Sequence, residues 1–318
     1  MKIVILERNT VGLDISVEHL KELGEVMIYP NTSRDDVAER IKDADIIIAN
    51  KSPLKEGTLS NAQNVKLICE FATGYDNIDL DYCKKRGIKV ANVVNYSTAA
   101  VAQHTFALCL YVLEKLHHYD KYVKSGEYAA QSGFSNFSIP FTELDGKTWG
   151  IVGMGNIGRK VARIAEAFGC KVIFYSASGK SACTDYKQVD FDTLLGESDF
   201  LSLHCPLSDR TRNLINLDAL RKMKKTSILI NVARGPVVND ADLYTALTED
   251  MIAGAGLDVT STEPMRDENP LSKIMDSNKL IITPHLAWAS TEARNRVVEE
   301  TYKNIEAFLK GEDRNLVK

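Results

Sequence analysis

Short apolar runs of strand length alternate with segments of helical period along most of the chain. In the first third, strands are predicted at residues 2–6, 26–29, 46–49, 67–70 and 89–92, with helices such as 16–23 and 33–42 between them. A second series follows Gly146, with strands at residues 148–152, 171–175, 200–203, 227–232, 253–257 and 280–282. This alternation is typical of parallel sheets covered by crossover helices. The pattern therefore predicts an α/β protein with two doubly wound parallel-sheet domains.

Two longer helices are predicted outside the regular alternation. Apolar residues recur at helical spacing in residues 97–116, as one continuous helix, and again in residues 290–310. The second sheet is complete after its sixth strand, so we expect the terminal helix to return to the first domain. Residues 126–140, which are aromatic in a Gly-, Ser- and Asn-rich context, are predicted to form an ordered loop.

Composition narrows the classes of function. The 318 residues are 44% hydrophobic and 26% charged, and 39 Lys and Arg against 43 Asp and Glu give a formal charge of −4. This small negative charge gives no electrostatic reason to expect nucleic acid or an anionic membrane as a partner. The longest apolar stretch, residues 106–113, is about half as long as a membrane-spanning helix.

The cysteines and the first residues predict a cytoplasmic location. None of the six cysteines belongs to a C-x-x-C pair and most lie within apolar runs, so we expect reduced, buried thiols and no metal site. Only four consecutive apolar residues precede Glu7, which is too few for the core of a signal peptide.

A glycine-rich loop carries the clearest chemical signal. The G-x-G-x-x-G sequence of residues 153–158 follows a predicted strand and opens a predicted helix. In that context the first glycine permits a tight turn, the second lets the backbone approach a pyrophosphate, and the third lets helix and strand pack closely. The sequence therefore predicts a dinucleotide site at the helix N-terminus, formed by Gly153, Gly155, Asn156, Ile157 and Gly158.

The residue that would contact the adenosine ribose leaves the choice of dinucleotide open. Ser176 stands where an acidic residue would bind the ribose 2′-hydroxyl of NAD. Without that carboxylate nothing repels a 2′-phosphate, and Ser176, Ser178 and Lys180 could donate hydrogen bonds or charge to it. Ser176 could equally bond the NAD ribose while Lys180 is a solvated cation. The cofactor is therefore predicted as NAD(H) or NADP(H).

Three polar residues follow successive strands of the second series. Arg234, Glu263 and His285 come after the fourth, fifth and sixth predicted strands. Each alone could be structural: a capping arginine, a turn glutamate, a satisfied core histidine. Because the carboxyl ends of parallel strands meet at one edge of a sheet, their joint occurrence predicts that they meet in one cleft as a catalytic set.

These segments together resemble the D-isomer-specific 2-hydroxyacid dehydrogenase family over nearly the whole chain. Residues 285–294 (HLAWASTEAR) are most similar to glycerate dehydrogenases, which are hydroxypyruvate reductases. The other matching segments are FATGYDNID at 71–79, VAQHT at 101–105, the glycine loop, LHCPL at 203–207 with Thr211, NVARGP at 231–236, GLDV at 256–259, Glu263-Pro264 and Pro284-His285.

The resemblance implies a domain organisation and an assembly. It predicts a Rossmann coenzyme domain at residues 97–289, inserted into a flavodoxin-like substrate domain at residues 1–96 and 290–318. Members of the family usually dimerise through the coenzyme domain, so a homodimer is expected.

The resemblance also implies roles for the three strand-end residues. When a 2-oxoacid accepts a hydride, its developing alkoxide needs a proton and its carboxylate needs an anchor. His285 is the candidate acid, and Glu263 would favour its imidazolium form and fix the ring. Arg234 would hold the substrate carboxylate and polarise the carbonyl with its paired donors.

Further contacts follow from the same resemblance. Asp258 resembles the residue that bonds the nicotinamide carboxamide, and the backbone carbonyl of Val232 or Ala233 could do the same. The remaining expected residues are His204, Pro206 and Thr211 at the cofactor, and Lys51, Thr73, Gly74 and Trp288 at the substrate.

The expected activity is reduction of a small 2-oxoacid, hydroxypyruvate or glyoxylate, to D-glycerate or glycolate. Two alternatives stay open: reduction of larger branched or aromatic 2-oxoacids, and a dinucleotide-sensing corepressor-like protein, since such proteins keep the catalytic set. Phe134, Phe137 and Phe141 could line the substrate pocket or be ordinary packing residues. Glu263 argues against formate oxidation, because formate dehydrogenases have Gln at this position.

Overall fold

The computed structural model describes residues 1–179 and 181–317. The chain divides into two compact units, Met1–Ser97 with Ala289–Lys318, and Thr98–Trp288. Each boundary between these units lies one residue from the domain boundary that the family resemblance implies.

The first unit is built on a parallel sheet with the order β2-β1-β3-β4-β5, the flavodoxin-like order. Its central strands are buried along their whole length, so they consist of continuous apolar runs. Strand β3 pairs with β4 so that Ala49 lies opposite Glu70. The strands are β1 (Lys2–Ile5), β2 (Glu25–Ile28), β3 (Ile46–Ala49), β4 (Leu67–Glu70) and β5 (Lys89–Ala91).

Short helices and one long terminal helix cover this sheet. Asp79 caps the third helix by accepting from Tyr82 N, and Gly87, with φ +69°, ends it. The terminal helix packs against β4, and Ser290 caps it by accepting from Ala293 N. The helices are α1 (Val37–Ile41), α2 (Glu56–Leu59), α3 (Leu80–Arg86) and α11 (Thr291–Leu309), with 3-10 helices at Arg8–Val11 and Glu18–Leu23.

The second unit contains a seven-stranded parallel sheet with the order β12-β11-β10-β9-β6-β7-β8. The strand order reverses between β6 and β9, and ligands of such sheets bind outside the carboxyl ends of the strands at that point. The strands are β6 (Thr148–Val152), β7 (Lys171–Tyr175), β8 (Lys187–Gln188), β9 (Phe200–Leu203), β10 (Ile228–Asn231), β11 (Gly254–Leu257) and β12 (Leu280–Ile282).

Helices on both faces give this unit two apolar cores. One lies under the helix that opens the unit, where Phe106 packs against Trp149. The other lies on the opposite face, around Leu220 and Leu243. The helices are α4 (Thr98–Leu113), α5 (Leu116–Lys124), α6 (Glu127–Ala130), α7 (Asn156–Ala167), α8 (Phe191–Glu197), α9 (Leu217–Lys222) and α10 (Asp240–Thr248), with 3-10 helices at Gly235–Val237 and Pro270–Lys273.

The two parallel-sheet domains of the predicted α/β fold are confirmed, with four local differences. The expected helix at 97–116 is two helices, because Lys115 adopts φ +55° and breaks the hydrogen-bond ladder between α4 and α5. Residues 16–23 form only a 3-10 helix and residues 33–42 only a five-residue α-helix. The predicted loop at 126–140 begins with the single turn of α6. The two-residue strand β8 is too short to leave a periodic signal.

Within residues 1–179 and 181–317, no helix combines the length and the apolar character needed to cross a membrane.

Candidate active site

The glycine loop forms an open cradle at the start of α7. Gly153 has φ +93°, and a Cβ there would lie 2.9 Å from the backbone of His204 and Cys205. At Gly158 a Cβ would lie 2.2 Å from the carbonyl oxygen of Gly153, so this position permits the close packing of helix on turn. Nothing lies within 4 Å of a Cβ built on Gly155, which leaves the helix N-terminus open to an anionic ligand. The loop therefore fits a dinucleotide pyrophosphate.

The strand beside this loop ends in a turn that polar side chains hold. Thr211 is buried, and its hydroxyl donates to Pro206 O at 2.7 Å and accepts from Ser208 N at 2.8 Å. His204 Nε2 lies 2.9 Å from the hydroxyl of Ser202, and burial lowers the pKa of His204 to about 3. His204 is therefore a neutral side chain in the wall of the loop, whereas Pro206 is exposed beside it.

A cavity of about 890 Å³ lies at the carboxyl end of β7. Ser176 and Ser178 line it with their hydroxyls 3.1 Å apart. Lys187 and Arg210 add two cationic side chains, and Asp190 adds one carboxylate, which accepts from Thr193. Lys180, considered above as a contact to a 2′-phosphate, lies outside the described residues. Sequence reasoning missed Lys187 and Arg210 because both stand outside the loop that follows β7.

The predicted pairing of His285 with Glu263 is present. His285 Nδ1 lies 2.7 Å from Glu263 Oε2, and the other carboxylate oxygen accepts from Thr260 N at 3.3 Å. An ionised carboxylate can only accept, so Nδ1 carries the hydrogen, and Nε2 is the ring nitrogen left to exchange a proton with a ligand. Both side chains are partly exposed, at 27% and 35%, so the pair is open to a ligand.

Arg234 lies in a turn that packs on the segment before Glu263, where only glycine fits at position 235. It follows β10, and Asn231 braces the turn by donating its side-chain amide to Arg234 O at 3.1 Å. At Gly235 a Cβ would lie 1.7 Å from Thr260 O, so the chain after Arg234 packs directly on the segment that leads to Glu263. The guanidinium donates to Ala233 O at 2.9 Å, and Arg234 is held by at least one further interaction.

Asp258 holds the loop that carries His285. Its carboxylate accepts from the Thr283 hydroxyl at 2.6 Å, from Leu286 N at 2.9 Å and from Ala287 N at 2.8 Å. His285 itself adopts φ +54°, in the left-handed region that costs a non-glycine residue about 1–2 kcal/mol. These bonds offset that cost, so Asp258 positions His285, and its suggested contact to nicotinamide remains a proposal.

Two other residues, His104 and Asp240, support the site without having been given a role in it from the sequence. His104 on α4 lies 2.9 Å from the Thr283 hydroxyl and 3.6 Å from Asp258 Oδ1. Asp240 Oδ2 accepts from Ser261 N and from two side chains, which fixes the loop before Glu263. His104 lies within α4 and Asp240 begins α10, and a polar residue at either place is too common to indicate a site.

The aromatic residues considered for the substrate pocket have different places. Trp288 Nε1 donates to His285 O at 3.1 Å, so the indole braces the loop that carries His285. Phe134 and Phe137 are 90% and 87% exposed. Phe137 and Phe141 line a cavity of about 530 Å³ together with Tyr119. The exposure of Phe134 and Phe137 argues against a place for these two side chains in a closed substrate pocket.

The predicted substrate residues of the first unit lie at the carboxyl end of its sheet. Lys51 follows β3, and its backbone N–H donates to the carboxylate of Glu7. Thr73 follows β4, donates its hydroxyl to Val93 O at 2.7 Å and accepts from Asn92 at its carbonyl. Gly74 comes next and is half-buried.

Comparison with known proteins identifies the family of the chain. Residues 106–287 match the profile of the family described as D-isomer specific 2-hydroxyacid dehydrogenase, NAD binding domain. The chain is 38% identical to a hydroxypyruvate reductase of Blautia hydrogenotrophica, over 100% of this chain and 99% of that protein. It is 37% identical to a glycerate dehydrogenase of Methylorubrum extorquens, over 99% and 98%.

A solved structure gives the same result at the level of the fold. The NADPH-dependent glyoxylate/hydroxypyruvate reductase of Sinorhizobium meliloti, in complex with NADP and malonate, matches with a TM-score of 0.85 and 28% identity, covering 99% of this chain and 96% of that one. The chain therefore belongs to the D-isomer-specific 2-hydroxyacid dehydrogenase family and is an oxidoreductase that acts on 2-hydroxy acids with a nicotinamide dinucleotide.

Proposed function

We propose that this enzyme reduces hydroxypyruvate or glyoxylate to D-glycerate or glycolate, with Arg234, Glu263 and His285 as its catalytic residues. The observation that carries the proposal is the 2.7 Å contact between His285 and Glu263 beside the braced Arg234 turn. The names of the two relatives, a hydroxypyruvate reductase and a glycerate dehydrogenase, support this substrate class.

His285 is the proton donor of the proposed reaction. The bound dinucleotide supplies the hydride that the substrate carbonyl carbon accepts. As negative charge develops on the substrate oxygen, His285 Nε2 donates its proton to that oxygen. The carboxylate of Glu263, which contacts Nδ1, stabilises the positive charge of the protonated ring. In the oxidative direction the same nitrogen accepts the hydroxyl proton.

Arg234 is the anchor of the substrate. Its planar guanidinium offers paired donors to a carboxylate and a further N–H to the adjacent carbonyl oxygen, which a lysine ammonium cannot match in geometry. The braced turn lowers the entropy cost of holding that geometry. Backbone donors at Thr73 and Gly74, together with Lys51, are proposed to bind the same carboxylate.

We propose that the dinucleotide is NADP(H). Two hydroxyls and two cations, on Ser176, Ser178, Lys187 and Arg210, line the cavity after β7. These groups suit a 2′-phosphate, and Ser176 occupies the position from which an acidic residue would repel it. Ser176→Asp should shift the ratio of kcat/KM for NADPH to that for NADH at least tenfold towards NADH, an energy difference of ~1.4 kcal/mol. An equal loss with both dinucleotides would contradict contact between Ser176 and the ribose.

The experiment that tests the proposed function is a matrix of initial rates. NADH and NADPH are each paired with hydroxypyruvate, glyoxylate, pyruvate and phenylpyruvate. Turnover confined to the first two acids with NADPH preferred is expected. If phenylpyruvate is reduced fastest, the family remains and the substrate proposal is wrong; dinucleotide binding without turnover would favour a sensor protein.

We further propose that the protein is a homodimer through its second unit. Leu116, Val123, Phe134 and Phe137 expose large apolar side chains on that unit, and Phe134 is 90% exposed. Such side chains are usually covered in an interface. Light scattering after gel filtration should give twice the chain mass, and Phe134→Ser with Phe137→Ser should shift it to the chain mass. A monomeric wild-type protein would overturn the proposal.

A cytoplasmic location is proposed on the basis of the cysteines. All six are free and buried in the described structure, and burial raises the pKa of the Cys83 and Cys205 thiols to about 11. Protonated thiols suit a reducing compartment.

A further inference from the structure

A polar cluster with a buried centre lies at the carboxyl end of the first unit's sheet, and the proposed reaction does not use its acidic members. Glu7 follows β1, Lys51 and Ser52 follow β3, Glu70 ends β4, and Asn77 lies in the turn beyond it. We call these five residues the Glu70 cluster. This edge is where open parallel sheets bind their ligands.

Glu70 is the most buried member of the cluster. It is 0% exposed, and its Oε2 accepts from Asn77 Nδ2 at 3.3 Å. The same amide donates to Ser52 O at 3.0 Å. Within the described residues, Oε1 of Glu70 and the hydroxyl oxygen of Ser52 are buried and have no hydrogen-bond partner. A buried carboxyl with one weak bond costs folding free energy, which a solely structural role does not explain.

The cluster ties two turns together. The backbone carbonyl of Asn77 also accepts a hydrogen bond from Leu54 N at 2.9 Å. Together with the bond from the Asn77 side chain to Ser52 O, it joins residues 52–54 to the turn after β4. On the other side, Glu7 accepts the backbone N–H of Asn50 at 2.9 Å and that of Lys51. The turn that carries Lys51 is therefore held from two sides by carboxyl groups.

We propose that Glu70 is a positioning residue that holds the Lys51–Ser52 turn through Asn77 and so sets the affinity for the 2-oxoacid. The inference rests on the proposed function, because it takes Lys51 as a contact to the substrate carboxylate. Glu70 does not touch the reacting atoms, so it affects substrate binding and leaves the chemical step unchanged.

The charges around Glu70 make this role dependent on pH. Burial is the main cause that raises the pKa of Glu70 to about 8, and the negative charges of Glu7 and Asp76 raise it further. The hydrogen bond from Asn77 and the positive charge of Lys51 lower this pKa. The buried residues of α11, which packs against β4, are uncharged, and Lys89 of β5 pairs with the opposite end of the strand. Above pH 8 a second carboxylate therefore forms beside Glu7, and we expect it to loosen the turn.

The test measures KM for hydroxypyruvate between pH 6.5 and 9.5 in the full-length enzyme at saturating NADPH. Glu70→Gln keeps the shape of the neutral acid and cannot ionise. The wild-type KM should rise about tenfold more than the KM of this variant across pH 8, with kcat within about twofold. The two proteins differ only at position 70, so the difference between their pH profiles isolates Glu70.

Two further variants sharpen the test. Glu70→Leu removes the bond to Asn77 and should raise KM about tenfold at every pH with kcat and the NADPH affinity nearly unchanged. Glu25→Gln makes the same charge change at an exposed position of β2 and should follow the wild-type profile. Identical pH profiles of KM for the wild-type protein and Glu70→Gln would overturn the inference.

Hydrogen exchange separates this inference from the proposed function. In the wild-type protein, exchange of the amides of residues 50–54, corrected for its intrinsic pH dependence, should accelerate above pH 8, and in Glu70→Gln it should not. If this result is found in a protein that reduces no 2-oxoacid, the positioning role of Glu70 stands and the proposed substrate is wrong. Equal exchange in both proteins would refute the positioning role even if hydroxypyruvate is reduced.

Discussion

At the residue scale, the site depends on side chains that are each held by a second residue. Glu263 fixes the ring of His285, and Asp258 fixes the loop beneath it. Such supporting bonds matter because a catalytic group displaced by about 1 Å can lose a factor of 10² in rate. The supporting residues therefore deserve the same mutational tests as the residues that touch substrate.

His285→Ala should lower kcat for the 2-oxoacid by about 10²–10⁴, because general acid catalysis contributes that much. The affinity for NADPH should stay within about twofold, since the glycine loop is untouched. Steady-state rates and a fluorescence titration of NADPH give both quantities. His118→Ala, at a side chain that contacts Ser138, is the control. Unchanged kcat in His285→Ala would refute the assignment.

Asp258→Asn should lower kcat by about 10² through displacement of His285. An amide in place of the carboxylate cannot accept all three bonds from Thr283, Leu286 and Ala287. The affinity for NADPH separates two roles: it should change little if Asp258 only positions His285, and it should weaken strongly if Asp258 binds nicotinamide. Asp250→Asn, at an exposed ion pair with Lys279, is the matched control.

At the scale of elements, turns after neighbouring parallel strands carry the residues that we propose as catalytic. The turn after β10 carries Arg234, and the segment after β11 carries Glu263. Their close packing depends on the missing side chain at Gly235. The parallel register of β10 with β11 brings the two carboxyl ends to the same edge.

Gly235→Ala should destabilise the protein by roughly 1–3 kcal/mol and reduce kcat/KM, because the new methyl group would overlap Thr260 O. Gly196→Ala is the matched control: this glycine lies in α8, and a Cβ there meets nothing within 4 Å. The control should gain roughly 0.5–1 kcal/mol from its helix propensity. Urea unfolding measures both, and equal stability of the two variants would contradict the packing argument.

At the scale of the whole molecule, stability should depend on pH through Glu70. Its pKa is about 8 in the folded protein and 4.5 as a free side chain, so between these values the folded state binds a proton that the unfolded state has lost. The stabilisation from this proton is fully present below pH 4.5 and is lost as the pH rises to about 8. Above pH 8 this contribution is constant.

Glu70→Gln has no proton to lose at this position, so its melting temperature relative to the wild type should rise between pH 5 and pH 8. Scanning calorimetry at several pH values measures that difference. Glu25→Gln should show no such trend, since Glu25 is exposed. If the difference in melting temperature between Glu70→Gln and the wild type does not change between pH 5 and pH 8, Glu70 is ionised in the folded protein over this range.

The sequence by itself determined the alternation of strands and helices, the glycine loop and the three strand-end residues. Continuous apolar runs and G-x-G-x-x-G are local patterns that can be read without the fold, and eight of the eleven predicted strands have the predicted bounds or end one residue early. The break at Lys115 was not predicted, because α4 and α5 share one helical pattern and only the left-handed residue between them separates the two helices.

The tertiary structure alone decided how the site is held. The bonds of Asp258 to the His285 loop, the contact of His104 with Thr283 and the Glu70 cluster join residues far apart in the chain. The direction of the Phe134 and Phe137 side chains, towards solvent, was also decided there. Sequence periodicity reports which residues are apolar at a local spacing, whereas these contacts depend on which strand ends and loops the fold brings together.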